Sequence, residues 1–170
     1  GNGAVAIGPT AKSSGESGVA IGIASQASAK KTTAIGSVAI ADKDYATAIG
    51  GKASATSEGA QALGYQSKAS GLASNAIGWN AEATAHDATA IGSGAKAYSG
   101  SGIAMGTNAE AGSKGSEETL VEAMALGTNS KAKAQSKDVA LGADSETSTV
   151  QKTSNTVIDG KTYNYEGINP

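Results

Sequence analysis

The tripeptide Ala-(Ile/Leu/Met)-Gly closes at Gly8, Gly22, Gly36, Gly50, Gly64, Gly78, Gly92, Gly106, Gly127 and Gly142. Seven consecutive intervals are 14 residues, the next is 21 and the last is 15. A fixed period of this length is the mark of a repeat architecture, in which each unit buries its apolar face only by stacking on the next. Within each unit the third and fifth positions after the Gly are small and the position between them varies, as in Ala53-Ser54-Ala55, Ala81-Glu82-Ala83, Ala95-Lys96-Ala97 and Ala109-Glu110-Ala111. That is period two, a strand with one confined and one solvated face. The residues before each Gly form a second strand, as in Ala4-Val5-Ala6-Ile7 and Asp138-Val139-Ala140-Leu141. Two strands of about four or five residues with two turns rich in Gly, Ser and Asn make one coil of a parallel β-solenoid. Ten such coils at about 4.8 Å each give a rod of roughly 45 Å. A helix is excluded, because a Gly in every unit costs roughly 1 kcal/mol in a helix interior.

Composition agrees with a coil and not with a globule. The 170 residues include 35 Ala and 24 Gly but no Phe and one Trp, so the large side chains that supply most core free energy, about 1.5–3 kcal/mol each, are scarce. Charge is close to balanced, 13 Lys and no Arg against 15 acidic residues, which argues against nucleic acid as a partner. Cysteine is absent, so neither disulfides nor thiolate metal sites supply rigidity. No apolar run of about 20 residues spans a membrane and no signal segment opens the chain. Beginning abruptly at Gly1, it reads as a piece of something longer, without membrane contact of its own. No cofactor is expected.

The two strands differ. In the strand after the Gly, the open column reads Lys12, Ser28, Ile40, Ser54, Lys68, Glu82, Lys96, Glu110, Lys131, Glu146, its later members alternating in sign. In the strand before the Gly, an invariant Ala column (Ala6, Ala20, Ala34, Ala48, Ala62, Ala76, Ala90, Ala104, Ala125, Ala140) stands beside an apolar one (Ile7, Ile21, Ile35, Ile49, Leu63, Ile77, Ile91, Met105, Leu126, Leu141). One column fills the coil interior and the other requires cover from outside, which points to an obligate homo-oligomer. The sequence does not fix which is which. Ile inward is slightly favoured, because Ala facing Ala alone would leave the interior empty.

Val5-Ala6-Ile7-Gly8, Val19-Ala20-Ile21-Gly22 and Val139-Ala140-Leu141-Gly142 resemble the head repeat of trimeric autotransporter adhesins. The resemblance covers residues 1–147, and residues 148–170, with Ile158-Asp159-Gly160-Lys161-Thr162-Tyr163, are similar to the insert between head and neck in that family. It implies an all-β fold, a left-handed parallel β-roll of 14-residue coils, three of which pack as a homotrimer. It also implies anchoring in a Gram-negative outer membrane through a C-terminal region outside this segment. The implied partners are host extracellular matrix proteins (collagen, fibronectin, laminin) or host cell receptors.

Tyr65 and Trp79 follow the Gly in consecutive units, so their rings are expected near each other on one edge with Lys52, Gln66 and Asn80 alongside. Exposed aromatics flanked by polar groups are typical binding anchors, although a self-stacking pair that stiffens the turns explains them equally well. The seven extra residues between Gly106 and Gly127 bring Glu117 and Glu118. Insertions in surface loops cost little and often carry recognition, yet a solvated bulge without function is the plainer reading. His86 has no second His or Cys as partner and reads as a turn residue, not a metal ligand or base. Lys30-Lys31 reads as a solvated edge.

An adhesive head is thus the leading functional reading. An ice-binding solenoid is the runner-up, but it needs a regular Thr-x-Thr column on a flat face, and Thr33, Thr47 and Thr89 do not persist along the chain. A passive spacer is the third. An enzyme has the least support, since no acid, base and nucleophile recur at a common position.

Overall fold

The computed structural model describes residues 2–115 and 122–148, and the backbone of two strands at Asn155–Ile158 and Lys161–Asn164. The first strands of the coils, Val5–Ile7, Val19–Ile21, Thr33–Ile35, Thr47–Ile49, Gln61–Leu63, Asn75–Ile77, Thr89–Ile91, Ile103–Met105, Met124–Leu126 and Val139–Leu141, form one ten-stranded parallel sheet. The second strands run from Lys12–Ser13 to Lys131–Ala132 and form a nine-stranded parallel sheet facing it. The chain therefore winds as a β-solenoid of about nine full turns. Asn155–Ile158 and Lys161–Asn164 pair antiparallel as a separate hairpin.

Each strand pairs with its counterpart one coil away, Ala48 with Ala62, Ala62 with Ala76, and so along the rod. This corrects one member of the open column. Lys12 pairs with Gln26, which places Gln26 in that column, not Ser28.

The strands are shorter than the sequence suggests, three and two residues, because turns take up more of the coil. A residue in the left-handed region recurs every seven positions from Thr10 through Ser17, Ala24, Lys31, Val38, Tyr45, Lys52, Gly59, Gln66, Ala73, Asn80, Asp87, Gly94 and Ser101 to Asn108, with φ from 53° to 67°. The residue after it is small and donates its N–H to the carbonyl three positions back, as in Ala11 to Gly8 (3.2 Å) and Gly18 to Gly15 (3.3 Å). Both edges of the roll use the same turn. A coil is therefore two seven-residue halves.

The interior overturns the preference for Ile inward. The Ala column from Ala20 onward is buried, as are the small columns of the opposite sheet, so that coil four contributes Ala53, Ala55, Ala60 and Ala62, each fully inaccessible. Ile7, Ile21, Ile35, Ile49, Leu63, Ile77, Ile91, Met105, Leu126 and Leu141 point outward, half-buried or exposed. Two halves of seven residues closed by tight turns bring Cα atoms of opposite sheets within 8 Å, nearer than the roughly 10 Å of ordinary stacked sheets. At that spacing, methyl groups fill the interior and an Ile side chain does not fit. Most polar interior positions have their hydroxyls satisfied locally, the Ser13 and Ser99 hydroxyls being the exceptions among the described residues. Ser25, Ser67 and Ser130 donate to the carbonyls of Gly22, Gly64 and Gly127 at 2.9–3.0 Å, and Thr32 and Ser74 to Ala29 and Gly71 at 2.8 and 2.7 Å. Only Ala6, in the first coil, is exposed among its column.

The Gly column is a steric requirement of stacking. Gly78 has φ 134°, and a Cβ there would lie 2.5 Å from the carbonyl oxygen of Gly92 in the next coil. Gly142, at the end of the roll, has φ 106° and open space around it. Gly78→Ala is expected to destabilise by more than about 3 kcal/mol, combining overlap with backbone strain, and Gly142→Ala distinctly less, as read from urea unfolding midpoints. Val38 is β-branched at φ 59° and 41% exposed, a conformation that such residues adopt only under strain. Val38→Asn is expected to raise stability by about 1 kcal/mol, seen as an upward shift of the thermal midpoint.

Candidate functional site

Three surfaces bear residues able to recognise a partner. The first is the outward face of the ten-stranded sheet. Its column from Ile7 to Leu141 is apolar at every step, and Ile7, Ile49, Met105 and Leu141 remain 57%, 39%, 46% and 64% exposed. A second outward column beside it reads Val5, Val19, Thr33, Thr47, Gln61, Asn75, Thr89, Ile103, Met124 and Val139. The face is thus apolar along one line for its whole length and mixed along the next.

The second surface is the edge that carries Tyr65 and Trp79. Both are exposed, and the Tyr65 ring lies over Gly51, one coil earlier, where a Cβ would meet it at 3.2 Å. The missing side chain at Gly51 makes that room. Lys52, Gln66 and Asn80 do line up, each in the left-handed conformation and each exposed. Their backbone N–H groups donate to Ser37, Gly51 and Tyr65 at 2.8–2.9 Å, so the column is held by the ladder itself. Farther along this edge, the Asn129 amide donates to Asp144 at 2.9 Å. Glu117 and Glu118 lie outside the described residues.

The third surface, the outward face of the nine-stranded sheet, carries the alternating charges. Lys68, Glu82, Lys96, Glu110 and Lys131 are successive partners in register, and an isolated bridge adds Glu146. Lys68 approaches Glu82 at 3.6 Å and Lys131 approaches Glu146 at 3.7 Å. Glu82 also meets Lys114 at 3.8 Å and accepts a hydrogen bond of 2.7 Å from the Tyr98 hydroxyl. Glu110 is held by Lys133 at 3.3 Å. A shallow depression of about 180 Å³ opens among Gln66, Lys68, Asn80, Ala81, Glu82 and Lys96. The structure thus joins two residues expected from sequence, Gln66 and Asn80, to a charged group that was read only as a ladder, and leaves Lys52 outside it.

Tyr98 is the functional-surface residue that sequence reasoning passed over. It is 3% exposed and stands where other coils carry Ser14, Ser28, Asp42, Thr56, Ser70 or Thr84. That break in a polar column was the available signal. Lys114, at the root of the insertion, reaches back two coils to the same Glu82. The insertion leaves the stacking unchanged, since Ala104 pairs with Ala125 and Glu110 with Lys131 across it. At the opposite edge, Lys30 meets Glu16 at 3.8 Å, the Lys31 ammonium sits 5.6 Å from the Tyr45 ring centre, and His86 contacts Asp87 at 2.7 Å, all on exposed turns.

A family model described as the YadA head domain repeat, in two copies, matches residues 1–23, 13–39, 27–53, 41–67, 55–81, 69–95, 83–109 and 121–145. After the first, the windows advance in 14-residue steps and break only at the insertion. Among solved structures, the crystal structure of the collagen-binding domain of the Yersinia adhesin YadA is similar, with a TM-score of 0.56 and 23% identity over 100% of this chain and 85% of that one. That likeness is one of fold. No curated protein matches the sequence. The repeat model accounts for nearly every coil of the roll, and the chain belongs to the YadA head domain repeat family.

Proposed function

We propose that this chain is the adhesive head of a bacterial surface fibre, that three copies pack side by side as a homotrimer, and that the assembled rod attaches to host extracellular matrix proteins such as collagen, fibronectin or laminin, or to host cell receptors. The observation that carries the assembly is the outward apolar column. An unbroken line of Ile, Leu and Met, half-buried or exposed at every coil, is the kind of contiguous apolar surface that marks an interaction site. Covering it with a second and third copy satisfies every coil at once, because identical repeats meet identical repeats. The threefold number follows from the family resemblance.

Family membership and the collagen-binding title of the similar solved structure support adhesion. The surface left open by such packing is stiff, repetitive and polar, and three copies present each feature many times, so modest individual contacts sum to firm attachment. Tyr65 and Trp79, with Lys52, Gln66 and Asn80 beside them, are the proposed anchors for a matrix ligand, and Glu117 and Glu118 are added from the insertion. The fibre would stand on the cell surface through an outer-membrane anchor beyond residue 170, with residues 148–170 joining head to neck.

Sedimentation equilibrium is expected to give three times the chain mass of 16.4 kDa. Ile49→Lys combined with Ile77→Lys is expected to shift the species toward monomer, since about 1.5–3 kcal/mol of burial is lost at each position. A folded wild-type species at the mass of one chain would overturn the trimer. In a solid-phase panel of collagens, fibronectin, laminin and epithelial receptors, Tyr65→Ala with Trp79→Ala is expected to weaken the responding ligand at least about tenfold. Unchanged binding with a lowered thermal midpoint would make the two rings structural.

A further inference from the structure

We propose that the depression among Gln66, Lys68, Asn80, Ala81, Glu82 and Lys96 is a subsite for a carboxylate-bearing sugar residue of a host glycan. The charge arrangement comes first. Glu82 is shared by Lys68, Lys114 and the Tyr98 hydroxyl, and Glu110 is held by Lys133. Lys96, between Glu82 and Glu110 in register, makes no ion pair among the described residues. Two ammonium groups thus meet the Glu82 carboxylate while a third, that of Lys96, lines the same depression, a local positive excess on a chain whose formal charge is −2. An anion entering the depression meets Lys96 without displacing an existing partner, and a charge-assisted hydrogen bond of that kind is among the stronger polar contacts.

The neutral groups select the rest of the ligand. Gln66 and Asn80 each carry an amide that offers both a donor and an acceptor, and both stand exposed on a backbone fixed by ladder hydrogen bonds from Gln66 to Gly51 and from Asn80 to Tyr65. Two such amides one coil apart match the alternating donor and acceptor character of vicinal hydroxyls. About 180 Å³ gives a seat for one pyranose ring, with the ring's substituents left in solvent on the open side. Because the depression lies on the nine-stranded sheet, it stays open when the apolar column of the other sheet is covered.

Such a small open site binds weakly on its own and gains from multiplicity. The proposal deepens the adhesive reading, yet its test uses free sugars on the purified assembly, so the two can fail separately. The experiment is an amide-resolved NMR titration with the methyl glycosides of N-acetylneuraminic acid, glucuronic acid and, as the uncharged control, glucose. Saturable shifts are expected at Lys68, Ala81, Glu82 and Lys96 with one or both acidic sugars, their relative affinity telling a sialylated from a uronic-acid glycan. The neutral sugar should give none. Lys96→Gln should weaken binding about tenfold, the equivalent of one charge-assisted contact. Lys12→Gln, in the same column at the far end of the rod, should leave it unchanged. Absence of saturable shifts with both acidic sugars, equal binding of the glucoside, or indifference to Lys96→Gln would each overturn the assignment, whatever the matrix-protein panel shows.

Discussion

Every coil of this protein is held to the next by backbone hydrogen bonds in a register that does not drift, Val5 to Gly18 at 2.8 Å in the first coil and Met124 to Asp138 at 2.8 Å near the last. Everything else is subordinate to keeping that ladder parallel and close. The Gly column exists because the next carbonyl occupies the space of a side chain. The Ala columns exist because two sheets joined by seven-residue halves leave room for small side chains only. The left-handed residues close the halves, and the strain at those that are not Gly or Asn is tolerated because ladder bonds on both sides hold them. A fold with so little apolar volume inside draws its cohesion chiefly from backbone pairing.

That division of labour explains the chemistry of the three outer surfaces. Large apolar side chains, excluded from the interior, appear on the outside of one sheet in a line, the face proposed to pack against other copies. Charges, absent from that line, alternate along the opposite sheet, where cross-strand pairs contribute about 0.2–1 kcal/mol each and leave Lys96 as a cation without a partner among the described residues. The turns carry the most variable side chains, since a residue there needs only to accept a left-handed backbone.

Much of this was legible in the spacing of Gly8 to Gly142: the solenoid, its parallel pairing and the two-sided character of the strand before each Gly. The direction of that strand was not. Choosing Ile for the interior assumed a core of ordinary thickness, and the turn that makes it thin has a weak sequence signature, because Lys31, Val38, Tyr45 and Lys52 occupy left-handed positions that Asn and Gly would have announced. The seat of the Tyr65 ring was not legible for a related reason. Position in the repeat places the Cα, whereas the ring turned toward the vacancy at Gly51. Gln66 and Asn80 were found from sequence as polar companions of the aromatics. Their partnership with Lys68, Glu82 and Lys96 depends on two columns meeting across a turn, a relation that a linear reading of either column does not display.

Both departures from the 14-residue period fall on the same side of the rod. The seven added residues lie between Glu110–Ala111 and Met124–Leu126, and the single added residue lies between Lys131–Ala132 and Val139–Leu141, where the Asp138 carboxylate accepts the N–H groups of Ala134 and Gln135 and the Thr147 hydroxyl at 2.7–2.9 Å to close the enlarged turn. At the Gly edge, turn length is constant throughout. One edge of the roll therefore behaves as a hinge pin of invariant length, and the other as a margin along which chain can be lengthened while the coils beyond it remain in step. Diversification of such heads, by nature or by design, has a side on which to occur.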